Sequence, residues 1–117
     1  MQNYLLHHLY KNRDGSILEV IEGDALKILP TVTNKLNREY KLIGNIPYYI
    51  TGYLLRIVAE LENKPSLIVF TIQKEVAERL TAQPPAMNLL AASVQYWSEP
   101  KIITSIPAGS FSPPPKV

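Results

Sequence analysis

A tetrapeptide near the middle of the chain, Asn45-Ile46-Pro47-Tyr48, combines three groups that could recognise a nucleobase. The Asn45 amide offers one acceptor oxygen and two donors. Because Pro47 biases the preceding residue towards an extended backbone, the Ile46 carbonyl can point outward as a second acceptor. The Tyr48 ring adds a flat face on which a base could stack. Two acceptors beside a stacking ring suit the exocyclic amino group of a purine. The alternative is a strand-to-helix turn with a capping Asn and a surface Tyr.

The elements around the tetrapeptide predict how it is positioned. A short buried strand at residues 42–43, broken at Gly44, would deliver it to the carboxyl end of a sheet, where α/β proteins bind ligands. Other strands are predicted at residues 17–21, 67–72 and 101–106, and helices at 2–11, 51–62, 73–80 and 88–97, with a turn at 12–15 and a polar connection at 30–40 that has room for a helical turn. Thr51 and Asn88 are the expected N-caps of the helices at 51–62 and 88–97. The buried stripe of the helix at 51–62 is predicted to consist of Leu54, Ile57, Val58 and Leu61. Residues 67–72 are apolar enough to be covered on both faces, so we expect a mostly parallel α/β sheet.

Composition narrows the class of protein. The chain has 117 residues, 46% of them hydrophobic, which is enough for one small globular domain. It contains no run of 18 apolar residues and no charged-then-apolar leader, so we expect neither a membrane span nor secretion. It has no cysteine, which excludes a thiolate metal site and fits a cytoplasmic protein. The adjacent His7 and His8 have no carboxylate or cysteine at ligand spacing, so we expect no metal. A net charge of +2 does not by itself indicate nucleic-acid binding.

Two further stretches carry charged residues that could contact a ligand. Asp24 comes just after the strand at residues 17–21, where an acidic residue commonly hydrogen-bonds a nucleotide. Its alternative role is the N-cap of the following helix. In the helix that begins near residue 73, Lys74 could pair with Glu78 and Glu75 with Arg79, as ordinary ion pairs on a solvated face.

Three motifs together resemble the ribosomal RNA adenine dimethyltransferase family. They are Asn-Ile-Pro-Tyr followed by Tyr-Ile-Thr, the string Gln-Lys-Glu-Val-Ala-Glu-Arg-Leu at residues 73–80, and Phe-Ser-Pro-Pro-Pro-Lys-Val at residues 111–117. The last could otherwise be a polyproline II tail that binds an SH3-like partner. The residues of these motifs are similar to those of the family members that modify two adjacent adenines near the 3′ end of small-subunit ribosomal RNA. The resemblance implies a Rossmann-like fold that uses S-adenosylmethionine, with a mostly parallel sheet, helices on both faces and both ends incomplete.

The resemblance also implies roles for individual residues. The target adenine would be held by the catalytic tetrapeptide Asn45, Ile46, Pro47 and Tyr48, with Phe111 facing Tyr48 so that the two rings clamp the base. The cofactor would be bound by Asp24, Ala25, Leu26 and Asn45. RNA phosphates could contact Lys74, Arg79 and Lys116. The family's Arg-Leu-Ser pattern is replaced by Leu90-Ala-Ala-Ser93, so no RNA role is carried over there.

The resemblance predicts that residues 1–117 are part of a methyltransferase catalytic domain. The family's first two strands, its glycine-rich cofactor loop, the acidic residue after its second strand and its C-terminal helical domain have no counterpart in this sequence. We therefore expect a fragment that is inactive and marginally stable alone. The full-length protein would be a cytoplasmic monomer that acts on small-subunit ribosomal RNA or a pre-ribosomal particle. A non-catalytic RNA-binding or ribosome-assembly module, and a DNA adenine-N6 methyltransferase, remain alternatives.

Overall fold

The computed structural model describes the backbone of residues 7–110 and their side chains from residue 9 onward. Within this range the chain forms helices and two small sheets. The strands are β1 (His7–Lys11), β2 (Ile17–Ile21), β3 (Lys41–Asn45) and β4 (Leu67–Thr71). The α-helices are α1 (Ala25–Lys35), α2 (Thr51–Ala59), α3 (Lys74–Leu80) and α4 (Leu89–Gln95), and short 3-10 turns occur at Tyr48–Ile50 and Ala108–Ser110. None of these helices is long and apolar enough to cross a membrane.

The first sheet is an antiparallel hairpin of β1 and β2, in which His7 lies opposite Ile21 and Lys11 opposite Ile17. The predicted helix at residues 2–11 is therefore wrong over residues 7–11, and residues 2–6 lie outside the described range. The predicted strand at residues 17–21 is confirmed. Strand pairing prevails in β1 because a tight turn brings a strand of β-branched residues alongside it. Within residues 7–110, the hairpin contacts no other helix or strand.

The turn between β1 and β2 has the residue types that close a hairpin. The Asn12 amide N donates to the Ser16 carbonyl over 2.7 Å, and Gly15 adopts a φ of +90°, which glycine reaches without strain. The Asp14 carboxylate accepts from both the hydroxyl and the amide of Ser16, at 2.7 and 2.9 Å. These hydrogen bonds hold the pKa of Asp14 below its ordinary value.

The second sheet pairs β3 and β4 in parallel, with Lys41 opposite Leu67 and Asn45 opposite Thr71. Gly44 lies inside β3 and does not break it. The residues on one face of this sheet pack against the helices, whereas Ile43, Leu67 and Val69 on the other face are 76%, 51% and 49% exposed. The expectation that residues 67–72 are covered on both faces is therefore wrong in this structure, because the helices that pack on β4 all lie on one side of it.

Helix α2 is the centre of the core. Its inward side carries Leu54 and Val58, which join Leu61 in one buried cluster, and Leu55, which joins Leu80 and Val94 in a second. Phe70 of β4 and Trp97, which follows α4, pack against both clusters and connect them. The predicted stripe is confirmed at Leu54, Val58 and Leu61, whereas Ile57 is only half-buried and Leu55 is a buried residue that the prediction did not include.

Several predicted boundaries change. The first half of the predicted connection at residues 30–40 is helical over more than the one predicted turn, because α1 continues through Pro30 to Lys35. Residues 101–106 form no strand and are exposed, since β3 and β4 pair only with each other in the described part of the chain. The predicted cap of α4 is confirmed, because the Asn88 side chain accepts from the Ala91 amide N over 2.8 Å.

Asn63 ties three elements together at the amino end of the β3–β4 sheet. Its side-chain amide donates to the carbonyls of Leu36 and Thr33, over 2.8 and 3.4 Å, at the end of α1. Its carbonyl accepts from the Tyr40 hydroxyl over 2.5 Å, just before β3. The carboxyl end of α1 is thereby fixed at the edge of the sheet where β3 and β4 begin.

Candidate active site

Asn45 and Ile46 lie at the carboxyl edge of the β3–β4 sheet. Asn45 is the last residue of β3, is exposed, and its side-chain amide makes no hydrogen bond within residues 7–110. The Ile46 amide N donates to the Thr71 carbonyl over 3.0 Å, which extends the ladder one residue beyond β3. The Ile46 carbonyl accepts no hydrogen bond from that part of the chain. Both proposed acceptors are therefore free to bind a ligand.

The turn that follows is held from the inside by Thr51. The Pro47 carbonyl accepts from the Ile50 amide N and from the Thr51 hydroxyl, both over 3.2 Å. Thr51 is only 1% exposed, so this hydroxyl is anchored in the core. Sequence reasoning assigned Thr51 as the N-cap of α2. It is instead the first helical residue, and Ile50 occupies the cap position. Because the Pro47 carbonyl is engaged, the turn leaves the Ile46 carbonyl as its free acceptor.

Tyr48 presents an exposed ring next to these acceptors. Its side chain is 62% exposed, and its ring contacts that of Tyr49 edge to face, with centroids 5.6 Å apart and planes at 89°. In an edge-to-face pair, at most one face of each ring is covered, so at least one face of the Tyr48 ring is not covered by Tyr49. The arrangement can thus offer a stacking surface beside two hydrogen-bond acceptors. The Asn45 and Tyr48 side chains are placed where the sequence predicted them, although no described contact tests their roles.

Gly44 is a positioning residue that sequence reasoning missed. A Cβ built on Gly44 would lie 2.7 Å from Cδ1 of Ile46, closer than side chains tolerate, because the Ile46 side chain folds back over it. The signal was available in the sequence, since a glycine inside a strand often marks a close approach of neighbouring groups.

Asp24 is the N-cap of α1. Its Oδ1 accepts from the Leu26 amide N over 3.0 Å, so the capping interpretation is confirmed. A carboxylate has further acceptor capacity, so capping leaves the second oxygen available to a ligand. The far end of α1 is fixed at the amino edge of the sheet, and the helix has 11 residues and a length of about 16 Å. Ala25 is exposed, and Leu26 packs against the same buried cluster as Ile46.

The residues predicted to contact phosphates differ in their distance along the chain from the carboxyl edge of the β3–β4 sheet. Lys74 is exposed and begins α3 three residues after β4, close to the carboxyl edge. Arg79 is also exposed but lies more than a helical turn further along. Neither makes the ion pair predicted with Glu78 or Glu75 within residues 7–110. The i,i+4 pair that forms is Arg56–Glu60, at 3.7 Å. Phe111 and Lys116 lie outside the described residues.

The site is an open surface. A cleft of about 230 Å³ between α1 and α2 is lined in part by Pro30, Asn34, Ile57 and Leu61, and none of the predicted site residues borders it. The described residues also include no group of three or more histidine, cysteine, aspartate or glutamate side chains that could hold a metal ion.

A family model and several curated proteins match most of this sequence. The model of the family described as ribosomal RNA adenine dimethylase matches residues 2–117. The chain is similar to proteins named ribosomal RNA small subunit methyltransferase A. The protein from Dehalococcoides mccartyi strain 195 is 44% identical over 98 residues, which are 84% of this chain and 34% of that protein.

Proteins of the same name from two other organisms show similar identity and coverage. The protein of that name from Pelotomaculum thermopropionicum is 39% identical over 112 residues, covering 86% of this chain and 38% of the relative. That from Acinetobacter baylyi is 36% identical over 102 residues, covering 86% and 37%. The chain thus spans about a third of the length of the curated relatives that it matches. No solved structure gives a significant match.

Proposed function

The chain belongs to the ribosomal RNA adenine dimethylase family, and on that premise we propose that it serves methyl transfer from S-adenosylmethionine to N6 of two adjacent adenines near the 3′ end of small-subunit ribosomal RNA. The observation that carries the proposal is the geometry at the end of β3. The Asn45 amide and the Ile46 carbonyl have no partner within residues 7–110, and the exposed Tyr48 follows them in the turn directly after β3.

The two acceptors match the two N–H groups of an adenine amine. This amine is a poor nucleophile because its lone pair is delocalised into the ring. Hydrogen bonds from its N–H groups to the Asn45 side-chain oxygen and the Ile46 carbonyl favour a more pyramidal nitrogen and fix the direction of its lone pair. Such positioning supplies most of the acceleration, and no strong general base is needed. S-adenosylmethionine, when bound, supplies a methyl group carried on a positively charged sulfur.

The described residues fit the adenine end of this cofactor. Asp24 uses one carboxylate oxygen to cap α1, and its second oxygen can accept a hydrogen bond from the cofactor's adenine amino group. Ala25 and Leu26 would flank the adenine ring, and Asn45 would complete the contacts. The carboxyl edge of parallel strands is the usual place for such a ligand.

The target adenine must leave its stack to reach Asn45. We propose that Tyr48 stacks on the extruded base and that Phe111 covers its other face. Pro47 itself is extended, with a φ of −58° and a ψ of 140°, directly before the 3-10 turn that begins at Tyr48. Lys74, Arg79 and Lys116 would bind the phosphates around the base.

We also infer a Rossmann-like catalytic domain of which residues 1–117 are a part, with a larger, mostly parallel sheet covered by helices on both faces. The exposed apolar face with Ile43, Leu67 and Val69 supports this, because further helices would cover it. The whole protein would be a cytoplasmic monomer that acts on small-subunit ribosomal RNA or a pre-ribosomal particle.

The cofactor part of the proposal is tested at Asp24. Asparagine caps helices about as well as aspartate, but it replaces the second acceptor oxygen by a donor. Asp24→Asn should therefore leave the melting temperature unchanged and weaken S-adenosylmethionine binding about 10-fold or more in a calorimetric titration. Asp24→Ala is the matched control for the cap and should cost about 1 kcal/mol of stability. Unchanged affinity in Asp24→Asn would contradict the cofactor role.

The catalytic part is tested at Asn45. Because this side chain is exposed and unpaired in the described structure, Asn45→Ala should leave the free energy of unfolding within about 0.5 kcal/mol. In a full-length protein that contains these residues, the same change should abolish transfer of labelled methyl groups to small-subunit ribosomal RNA. Turnover like that of the unaltered protein would refute the assignment. RNA binding with no response to S-adenosylmethionine would favour a non-catalytic module.

A further inference from the structure

A stripe of three exposed side chains runs from the tetrapeptide along the outer side of α2. Tyr49 lies in the 3-10 turn that leads directly into this helix, and Tyr53 and Arg56 follow it four and seven residues later. This i, i+4, i+7 spacing places side chains on one side of a helix. Tyr49 and Tyr53 are 74% and 61% exposed, and the Arg56 side chain is 78% exposed.

The stripe faces away from the core of the described chain, and its recorded contacts are those of Tyr49 with Tyr48 and of Arg56 with Glu60. The core is contacted by the opposite side of α2, which carries Leu54 and Val58. Neither tyrosine hydroxyl forms a hydrogen bond within residues 7–110. A tyrosine ring can bury about 150–250 Å² in an interface, so two open rings in succession form a surface suited to a flat partner.

The stripe is continuous with the candidate adenine site. The ring of Tyr49 contacts the ring of Tyr48 edge to face, with centroids 5.6 Å apart. A base stacked on Tyr48 would therefore have Tyr49 as its neighbour. Tyr49 precedes α2 and Tyr53 lies in its first turn, so a strand that leaves the site along this helix would meet the two rings in succession.

Arg56 adds the charge that a nucleic acid requires. Its Nε lies 3.7 Å from the Glu60 carboxylate, and both side chains are more than 70% exposed. Such an exposed pair is weak, so a phosphate can take the place of the carboxylate. A guanidinium group binds phosphate through two parallel hydrogen bonds. Aromatic rings followed by a cation are the combination that holds single-stranded nucleic acid.

We propose that Tyr49, Tyr53 and Arg56 form a second binding subsite, which takes the nucleotides next to the target adenine in single-stranded RNA. The two tyrosine rings stack on the neighbouring bases, and Arg56 binds a phosphate between or beyond them. Stacking accepts any base, so the subsite recognises an unpaired strand and not a particular sequence. This inference rests on the proposed function, because the adenine at Tyr48 fixes where the strand begins.

The test measures binding of the 117-residue chain to a short single-stranded RNA with two adjacent central adenines, by fluorescence anisotropy. Tyr49→Leu and Tyr53→Leu keep an apolar side chain but remove the ring, and each should weaken binding about 5- to 100-fold. Tyr49→Phe keeps the ring and should bind like the unaltered chain. Tyr96→Leu is the matched control, because Tyr96 is 91% exposed and lies at the end of α4. It should change nothing.

Two further measurements distinguish the role of each group. Arg56→Gln should lower the slope of log affinity against log salt by about one, as expected for one lost phosphate contact. With 4-thiouridine placed beside the adenines, irradiation should crosslink the RNA to Tyr49 or Tyr53 in the unaltered chain. A crosslink confined to other parts of the chain would overturn the proposal.

The remaining outcomes separate this inference from the proposed function. If Tyr49→Leu and Tyr53→Leu bind normally while Tyr48→Leu is weakened, the subsite is refuted and the adenine site stands. If Tyr48→Leu also binds normally, the adenine site fails too. If the unaltered chain does not bind the RNA, the subsite is refuted for this chain. Reduced self-association of the tyrosine variants in sedimentation experiments, with unchanged RNA binding, would assign the stripe to a contact between copies.

Discussion

Replacing Gly44 by alanine should destabilise the chain, although the same change at Gly52 should stabilise it. The new Cβ at Gly44 would lie 2.7 Å from Cδ1 of Ile46, whereas carbon atoms in contact prefer about 3.5–4.0 Å. The Ile46 side chain is half-buried and packs against the buried cluster of Leu54 and Val58, so its terminal methyl group, which must shift to admit the new Cβ, would lose part of this packing. At Gly52, no atom lies within 4 Å of the added Cβ.

The expected magnitude is a difference between two effects. Overpacking a core costs about 1–3 kcal/mol. Replacing glycine by alanine reduces the entropy of the unfolded chain and returns about 0.4–1 kcal/mol. Gly44→Ala should therefore lose about 1 kcal/mol net. Gly52→Ala, inside α2, should gain about 0.5–1 kcal/mol. Urea unfolding followed by the fluorescence of Trp97, the single tryptophan of the chain, reports both values, because this residue packs against both buried clusters.

A double-mutant cycle isolates the contact that causes the loss. Ile46→Val removes Cδ1 and should itself cost about 0.5–1.5 kcal/mol. In that background, Gly44→Ala should become neutral or stabilising by about 0.4–1 kcal/mol, because the clashing atom is gone. The reasoning would be refuted if Gly44→Ala stabilised the chain as much as Gly52→Ala. It would also be refuted if the effect of Gly44→Ala were the same with valine at position 46.

Three other changes test the fold. Asn63→Ala removes the donor to two carbonyls at the end of α1 and should cost about 1–3 kcal/mol in urea unfolding; no loss would show that water replaces the amide. Leu54→Ala should cost about 2–5 kcal/mol, whereas Leu89→Ala, at a side chain that is 86% exposed, should stay within about 0.5 kcal/mol, and similar costs would contradict the assigned core. Ser16→Ala should raise the pKa of Asp14 towards its ordinary value in an NMR titration. Because the folded pKa is depressed, this carboxylate stabilises the turn at neutral pH and loses that effect as the pH falls through its folded pKa. A pKa unchanged by the substitution would exclude the serine hydroxyl as its cause.

Elements whose signals are local could be predicted from the sequence. The strand at residues 17–21, the Asn88 cap and the buried stripe of α2 each depend on residues within a few positions of one another, and all three are confirmed. Among the candidate site residues, Asp24 also has a role with a local signal, because its capping role follows from the helix directly after it.

Features that depend on distant partners could not be predicted. The apolar residues of the segment 2–11, which end with Leu9 and Tyr10, are spaced as in a helix. The pairing of this segment with β2 across a turn makes residues 7–11 a strand instead. The apolar residues of β4 indicated a fully covered strand, yet its coverage depends on which other elements reach the sheet. The roles of Gly44 and Thr51 likewise depend on tertiary contacts, with the Ile46 side chain and the Pro47 carbonyl.

The isolation of the β1–β2 hairpin has a consequence for how the chain opens. A two-stranded hairpin without further contacts is marginally stable in water, and within residues 7–110 this one touches no other element. Its amide protons should therefore exchange with solvent through a local opening of low free energy. Those of α2 and β4 should exchange only when the helical core unfolds. The chain is thus expected to behave as two cooperative units, and a melting curve that follows Trp97 reports only the larger one.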